Sequence, residues 1–338
     1  MQQIADKLGI SKVSVHRAIK GIKGNSGTLD ALILKTAKEI GYVYNLSRLF
    51  KGRNFLFLAK RLYFLNDREM FYTQIFKELE GQCKERGANL ILQFYETSED
   101  KNAVRNIVSA DQKLAGIFVT GQFPGDDMIS FTRFPLPIVV IDFFSPIYNL
   151  SYVYLPSYFD SYRLVHYAYS KGHRNIGYVG HITEATNLYD RFAGFRRAVA
   201  ELHLPYVRDW MHTNKSDNNE IFSEPLSEKL PTVYICYCDL MARKLIHALK
   251  FKKLRVPDDI SILSFDNTEI YDNSITYPHI TSLGLDKMEF ASASLSLMQE
   301  QLENPEIKKS VELTSRIFER DTVKDIKNNR EFNEFSPH

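Results

Sequence analysis

"MQQIADKLGISKVSVHRAIKG" occupies residues 1–21, and the way it breaks into helices decides how the rest of the chain is read. Ile4, Ala5 and Leu8 fall on one side of a short helix. Gly9 follows, the residue that enters left-handed backbone at least cost and so ends a helix. Ser11 then offers a hydroxyl to cap a second helix. In that second helix Val15, Ala18 and Ile19 form an inward stripe. Lys12, Val13, His16 and Arg17 are left on the outer side, near its N-terminal half. Ala5 must be small where the two helices cross. The pattern predicts a helix-turn-helix. Asn25-Ser26-Gly27-Thr28 is a turn with two capping candidates. A third helix follows, with Leu32, Ile33, Ala37 and Ile40 facing inward and Gly41 at its end.

Charge follows the same division. The 338 residues carry a net charge of only +2, with 44% hydrophobic and 25% charged residues, ordinary for a globular protein. Residues 1–53 hold ten Lys/Arg against three acids, +7, and the remainder holds 33 against 38, −5. A small basic head on a mildly acidic body suits a polyanionic partner; a solvated charged face is the plainer alternative. No run of about 18 apolar residues exists, so no membrane-spanning helix is expected. The N-terminus has no apolar signal-peptide core, which makes the cytoplasm the expected compartment. The three cysteines, Cys83, Cys236 and Cys238, are too few and wrongly spaced for a disulfide framework or a zinc site.

"IADKLGISKVSVHRAIKG" followed by "AKEIGYVYN" resembles the DNA-binding head of the lactose-repressor/galactose-repressor (LacI/GalR) family of transcriptional regulators. In that family a residue or two precedes and caps the first helix, whereas this chain starts inside it. The resemblance places Lys12, Val13 and His16 where the second helix meets base edges, and Arg17 at a base-reading arginine. Arginine to guanine O6/N7 is the commonest specific contact, worth about 1–3 kcal/mol of discrimination. Val13 can offer only apolar contact. Ser14 and Tyr42 are expected to position phosphates. The alternatives are a surface role for His16, and a phosphate contact or helix-surface ion pair for Arg17.

The family continues into a short hinge helix whose leucine wedges into the minor groove and kinks the duplex. Here the segment is "NLSRLFKGRNFLFL". Arg48 and Leu49 are the matching pair, and Phe50 is an alternative wedge. Asn45 lies closer to that leucine than the family spacing requires, so a plain flexible linker is the competing reading.

The remainder alternates strands and helices. "FLFLA" (55–59), "NLILQFY", "LAGIFVTG", "LPIVVID", "NIGYVG", "TVYICYCD" and "DISILSFDN" read as strands. Residues 71–86 and 101–109 read as helices. Such alternation means parallel sheets flanked by helices, here repeated into two lobes with ligand space at the strand C-termini. "KGHRNIGYVG", "DRFAGFRRAV", "DLMARKLIHALK", "VPDDISILSFDN" and "YPHITSL" resemble family segments in the family order, so the resemblance runs nearly the length of the chain.

The expected fold is therefore α/β: a three-helix helix-turn-helix domain (1–45), a hinge (46–53) and a two-lobed periplasmic-binding-protein-like domain with parallel sheets (54–327). The first lobe takes about 54–154 and 283–310, and the second about 155–282 and 311–327. The crossovers are expected near 153–156, 278–284 and 310–314. The polar tail 328–338 is expected to be disordered.

The resemblance implies an effector cleft between the lobes. Arg191 matches a cleft arginine, Asp266 an accepting aspartate at a strand end, and Phe71 and Tyr72 an aromatic pair that stacks on a sugar or base. Asp142 follows "VVI" at another strand end. An interlobe ion pair for Arg191, a turn or cap role for Asp266 and plain packing for Tyr72 are the structural alternatives. The chain departs from the family at Cys238, which replaces an asparagine before Asp239, and at Pro156-Ser157, which replace an Asp-Asn pair. Tyr152, Tyr154 and Tyr158 add further aromatic character. The effector is then a less polar or unusual molecule, or the cleft has lost effector binding.

Cys236 and Cys238 alternate with Tyr237, which predicts one strand with both thiols on one face. No phosphate loop or nucleophile elbow is present, and no cofactor or metal is called for. The reading is a DNA-binding regulator, a repressor, not an enzyme. It binds a pseudo-palindromic double-stranded DNA operator as a homodimer and answers to a small-molecule effector of the sugar or related metabolite class. A solute-binding protein and an effector-independent regulator with a degenerate cleft are the alternatives.

Overall fold

The apolar run at 55–59 becomes β1 (Asn54–Ala59), in which every residue after Asn54 is buried. Successive side chains of a strand point to opposite faces. Phe55 and Phe57 accordingly join one core cluster and Leu56 and Leu58 the other. Fully burying each such side chain contributes about 1.5–3 kcal/mol. A strand buried on both faces belongs in the middle of a parallel sheet, and β1 pairs in parallel on both sides. The computed structural model describes residues 1–20, 24–40, 47–65, 70–182, 185–213, 228–268 and 278–327. Tyr42, Asn45 and the 328–338 tail lie outside the described residues.

Among the described residues the head has three helices, α1 (Gln2–Leu8), α2 (Lys12–Lys20) and α3 (Gly27–Glu39). A one-turn helix, α4 (Ser47–Phe50), precedes β1. After β1 come α5 (Leu62–Leu65), α6 (Met70–Glu85), β2 (Asn89–Phe94), α7 (Ser98–Ala110), β3 (Leu114–Thr120), α8 (Gly125–Phe131), β4 (Ile138–Ile141) and β5 (Ser151–Tyr154). The second lobe begins with α9 (Ser157–Ser170), followed by β6 (Ile176–Val179), α10 (Thr186–Glu201), β7 (Met211–His212), β8 (Val233–Cys236), α11 (Asp239–Phe251), β9 (Ser261–Phe265) and β10 (Thr281–Gly284). The chain then returns through α12 (Lys287–Glu303) and β11 (Ser310–Glu312) to β12 (Arg316–Phe318), the last regular element among the described residues.

Two six-stranded sheets result, ordered β11-β5-β4-β3-β1-β2 and β12-β10-β9-β8-β6-β7. Among the described residues all pairings are parallel except β12 against β10. Helices α6 and α12 cover one face of the first sheet, and α9 and α10 pack together over one face of the second. The chain changes sheet after Tyr154, after Gly284 and after Glu312. The middle crossover thus lies later than the sequence reading placed it, because Thr281–Gly284 still pairs with β9 and β12.

Three local readings are corrected. Leu32 is 48% exposed rather than inward, because the buried stripe of α3 runs through Leu29, Ile33, Ala37 and Ile40. The helix expected at 101–109 starts at Ser98, where Thr97 and Asp100 form a reciprocal capping box that satisfies two orphan backbone donors. The strand expected to carry both cysteines stops at Cys236, and Cys238 is the N-cap residue of α11.

Candidate functional site

In the head, Gly9 takes φ 64° and its N–H closes onto the Ala5 carbonyl. Ser11 caps α2 as expected, its Oγ accepting the Ser14 N–H at 3.0 Å. The Ser14 hydroxyl lies 2.9 Å from the same oxygen. Ile4, Ala5, Val15, Ala18, Ile33 and Ala37 close a small core shared by all three helices. Asn25 fixes the turn into α3, donating to the Ser14 carbonyl and to Asp30, both at 2.8 Å, and Ser26 caps α3.

That core leaves one face of α2 free. Lys12, His16 and Arg17 are exposed, and Val13 is 57% exposed. The Arg17 side chain runs along the turn before α3: a Cβ added at Gly24 would come within 3.2 Å of its Cδ and Nη1. Two cations, an imidazole and an apolar side chain on one helix face can combine phosphate attraction with base-edge contact.

The hinge differs from one expectation. Phe50, an alternative wedge, is 1% exposed and packs on Phe55 at 5.1 Å between ring centroids. It is a core residue of the first lobe, held there by apolar neighbours. Leu49 is half-buried against the same cluster. The Arg48 side chain lies outside the described residues.

Between the two sheets, the strand ends and helix starts converge. Phe71 and Tyr72 open α6, and the Tyr72 hydroxyl donates to Asp142 Oδ2 at 2.8 Å. Asp142 follows β4 at φ 62° and Asp266 follows β9 at φ 92°. Arg191 on α10 donates to Asp266 Oδ1 at 2.9 Å and to the Tyr237 carbonyl, with its guanidinium 4.5 Å from the Phe265 ring centre. The ion pair joins two elements of the second lobe, so it is not an interlobe pair. Cys238, half-buried, directly follows Tyr237. Pro156 is half-buried ahead of α9 and carries no side-chain hydrogen-bonding group.

Four residues to which the sequence assigned no role complete the cluster. Asn187 donates across the cleft to Asp142 Oδ2 at 3.4 Å; it lies four residues before Arg191 on α10, so helical spacing alone puts both on one face. Thr186 adds a second interlobe bond, its N–H donating to Gln122 Oε1 at 2.7 Å. Asp239 accepts from Thr268 N–H at 2.7 Å, Thr268 Oγ1 at 3.0 Å and Ser282 Oγ at 2.7 Å. Lys287 is fully buried, its ammonium donating to the Asp266 and Leu285 carbonyls over the Phe71 ring at 4.9 Å.

Gathering these charges away from water shifts their protonation. Burial pushes Asp142 up to about 7, opposed by Arg191 and helped by Asp266. Burial also raises Asp239 and lowers Lys287, whose four neighbouring aspartates act in the opposite sense. Arg191 Nε and Asn187 Oδ1 are buried without a hydrogen-bond partner. One donor and one acceptor on a single helix turn are therefore left for a polar guest.

Residues 165–323 match the family described as a periplasmic binding protein-like domain. The chain is 25% identical over 342 residues to the HTH-type transcriptional repressor PurR of Vibrio cholerae serotype O1 (strain M66-2), across 96% of this chain and 98% of that protein. It is 24% identical over 332 residues to PurR of Pasteurella multocida (strain Pm70), across 96% and 98%. Among solved structures, a transcriptional regulator CelR–cellobiose complex superposes with TM-score 0.67 at 16% identity, over 94% of this chain and 98% of that one. The lac repressor dimer bound to operator and the anti-inducer ONPF gives 0.66 at 17% identity, over 95% and 98%. The structural likenesses bear on the fold, the helical head included.

Proposed function

From the premise that this chain belongs to the LacI/GalR family, we propose that it is a DNA-binding transcriptional repressor acting in the cytoplasm as a homodimer. Its operator is a pseudo-palindrome, each half read by one head, as two-fold symmetry requires. No helix among the described residues is long and apolar enough to cross a membrane. The observation that carries the reading is the exposed Lys12–Val13–His16–Arg17 face of α2, standing on a core that spends its other face on α1 and α3. Arg17 is assigned to a guanine edge, Lys12, Val13 and His16 to neighbouring bases, and Ser14 and Tyr42 to phosphates. Arg48 and Leu49 are assigned to the hinge contact.

The effector is assigned to the cleft among Phe71, Tyr72, Asp142, Pro156, Arg191, Cys238 and Asp266. The unpartnered Arg191 Nε and Asn187 Oδ1 favour a polar guest of the sugar class. Such a guest shifts DNA affinity only through its different contacts in two lobe arrangements. A second reading, a regulator that needs no effector, is favoured by one observation: one oxygen of each carboxylate already accepts from a protein partner, Asp142 Oδ2 from Tyr72 and Asn187 and Asp266 Oδ1 from Arg191.

Fluorescence anisotropy on a library of pseudo-palindromic duplexes over a salt series tests the DNA function. Sequence preference should persist while affinity falls steeply with salt. Binding that ignores both sequence and salt would remove the reading.

A further inference from the structure

Lys287 occupies a position that ordinary helix chemistry disfavours. It is the first residue of α12, directly after the Asp286 cap, where the helix dipole repels a cation. A lysine at a helix start normally reaches solvent, yet this one is fully buried. Its ammonium finds two carbonyls, of Asp266 and Leu285, and the Phe71 ring. Asp266 and Phe71 belong to opposite lobes, and both stand among the residues assigned above to an effector.

We infer that the Lys287 ammonium is a tethered occupant of the interlobe cleft: it takes a place that a guest's polar group would hold and draws the lobes together, so closure does not wait for a diffusible ligand. The inference rests on the cleft assignment made above and gives it a direction. A carbonyl pair over an aromatic face recognises an alkylammonium, and here the chain supplies its own. The two interlobe bonds from Thr186 and Asn187 form alongside it. A diffusible effector then gains the site by displacing the lysine, and the ligand-free protein is the closed one. An effector that acts this way carries an ammonium or an equivalent donor at the position of Nζ.

The test reads closure directly. The Thr186 N–H bonds across the cleft to Gln122, so hydrogen exchange in the peptide covering 185–191 reports the lobe arrangement. Exchange would be followed by mass spectrometry on the full chain and on Lys287→Met, Lys287→Ala and Lys287→Arg. We expect at least tenfold faster exchange at Thr186 in the Met and Ala variants, no change in α9, and near-native exchange in the Arg variant, which keeps a cation. Propylammonium at constant ionic strength should restore slow exchange in Lys287→Ala and leave Lys287→Met unaffected, because the methionine stem fills the space. Unchanged exchange at Thr186 in Lys287→Met, or fast exchange in the ligand-free parent chain, overturns the inference. Operator binding is measured in parallel: a parent chain that closes through Lys287 but binds no DNA removes the repressor reading and leaves the tether standing.

Discussion

Gly194 of α10 lies directly on the backbone of Tyr158 in α9: a Cβ built at Gly194 would stand 1.9 Å from the Tyr158 carbonyl oxygen. No side chain fits there, so the close packing of these two helices depends on a missing methyl group. Gly194→Ala should destabilise the chain by about 1–3 kcal/mol or more through overpacking. Gly81 in α6 is the matched control, because nothing stands within 4 Å of its Cβ position. Gly81→Ala should stabilise by about 0.5–1 kcal/mol through helix propensity. Urea unfolding of both variants checks the pair, and equal shifts of the same sign would contradict the packing argument.

Asp142 gives the cleft a pH dependence of defined sign. Burial raises it to about 7, against roughly 3.9 for an exposed aspartate. Between those values the folded state keeps a proton that the unfolded chain has released. The stabilisation is complete below the lower value and is lost as pH rises through the upper one. Asp142→Asn removes the titration, and asparagine tolerates the left-handed backbone. The stability difference, variant minus parent, should climb by up to about 1.4 kcal/mol per pH unit between about pH 5 and 7, then level off. His173, pushed down to about 4 by burial, acts in the opposite direction: its contribution is lost as pH falls from about 6.5 through that value. Only the difference between the two proteins therefore isolates Asp142. Urea titrations at five pH values suffice, and a flat difference means an aspartate that is ionised throughout.

Asp239 ties three segments of the second lobe at once. Its two oxygens accept from Thr268 N–H, Thr268 Oγ1 and Ser282 Oγ. Asp239→Ala strands all three donors in a site where Asp239 itself is 3% exposed. Each unsatisfied buried donor costs about 1–3 kcal/mol, so the loss should exceed that of Ser282→Ala, which removes one donor to Asp239 and strands only the Asn267 N–H. Thermal unfolding ranks the two, and the reverse order would show that the network carries no weight.

On the head, Arg17→Ala should lower affinity for the preferred operator by about 10- to 100-fold, the 1–3 kcal/mol of one base-reading pair. Binding to random duplex should change much less. Arg17→Lys should recover little, because a point charge does not reproduce the planar fork. Anisotropy on matched and scrambled duplexes decides it. Equal losses on both would make Arg17 a phosphate contact.

Much of this architecture is legible in the sequence because its strands are continuous apolar runs. "FLFLA" and "LAGIFVTG" are buried on both faces in the structure, and their short length and the alternation of strands and helices along the chain favour strands over helix segments. Errors cluster where a single residue's phase matters. Leu32 reads as core because it neighbours Ile33, but the stripe passes through Leu29, Ile33, Ala37 and Ile40 and leaves Leu32 outside it. Ser98 is missed as a helix start because its capping box is built from polar residues that break the apolar period. In the cleft, Tyr72, Asp142, Arg191 and Asp266 are recognisable from strand ends and motif matches. Lys287 is not, because lysine reads as surface in any pattern. Its burial comes from the Asp266 and Leu285 carbonyls and from the Phe71 ring, which lies far away in the sequence, a relation that no local period encodes.

The two sheets borrow strands across the chain, and this orders the birth of the protein. The first lobe is sealed on one face by Phe290, Leu295 and Met298 of α12, while β11 adds its edge by pairing with β5. A nascent chain that has just completed β5 therefore carries a sheet whose face is covered by α6 alone, and the whole second lobe must be translated before α12 and β11 complete it. Neither lobe can therefore be excised as one continuous piece of polypeptide.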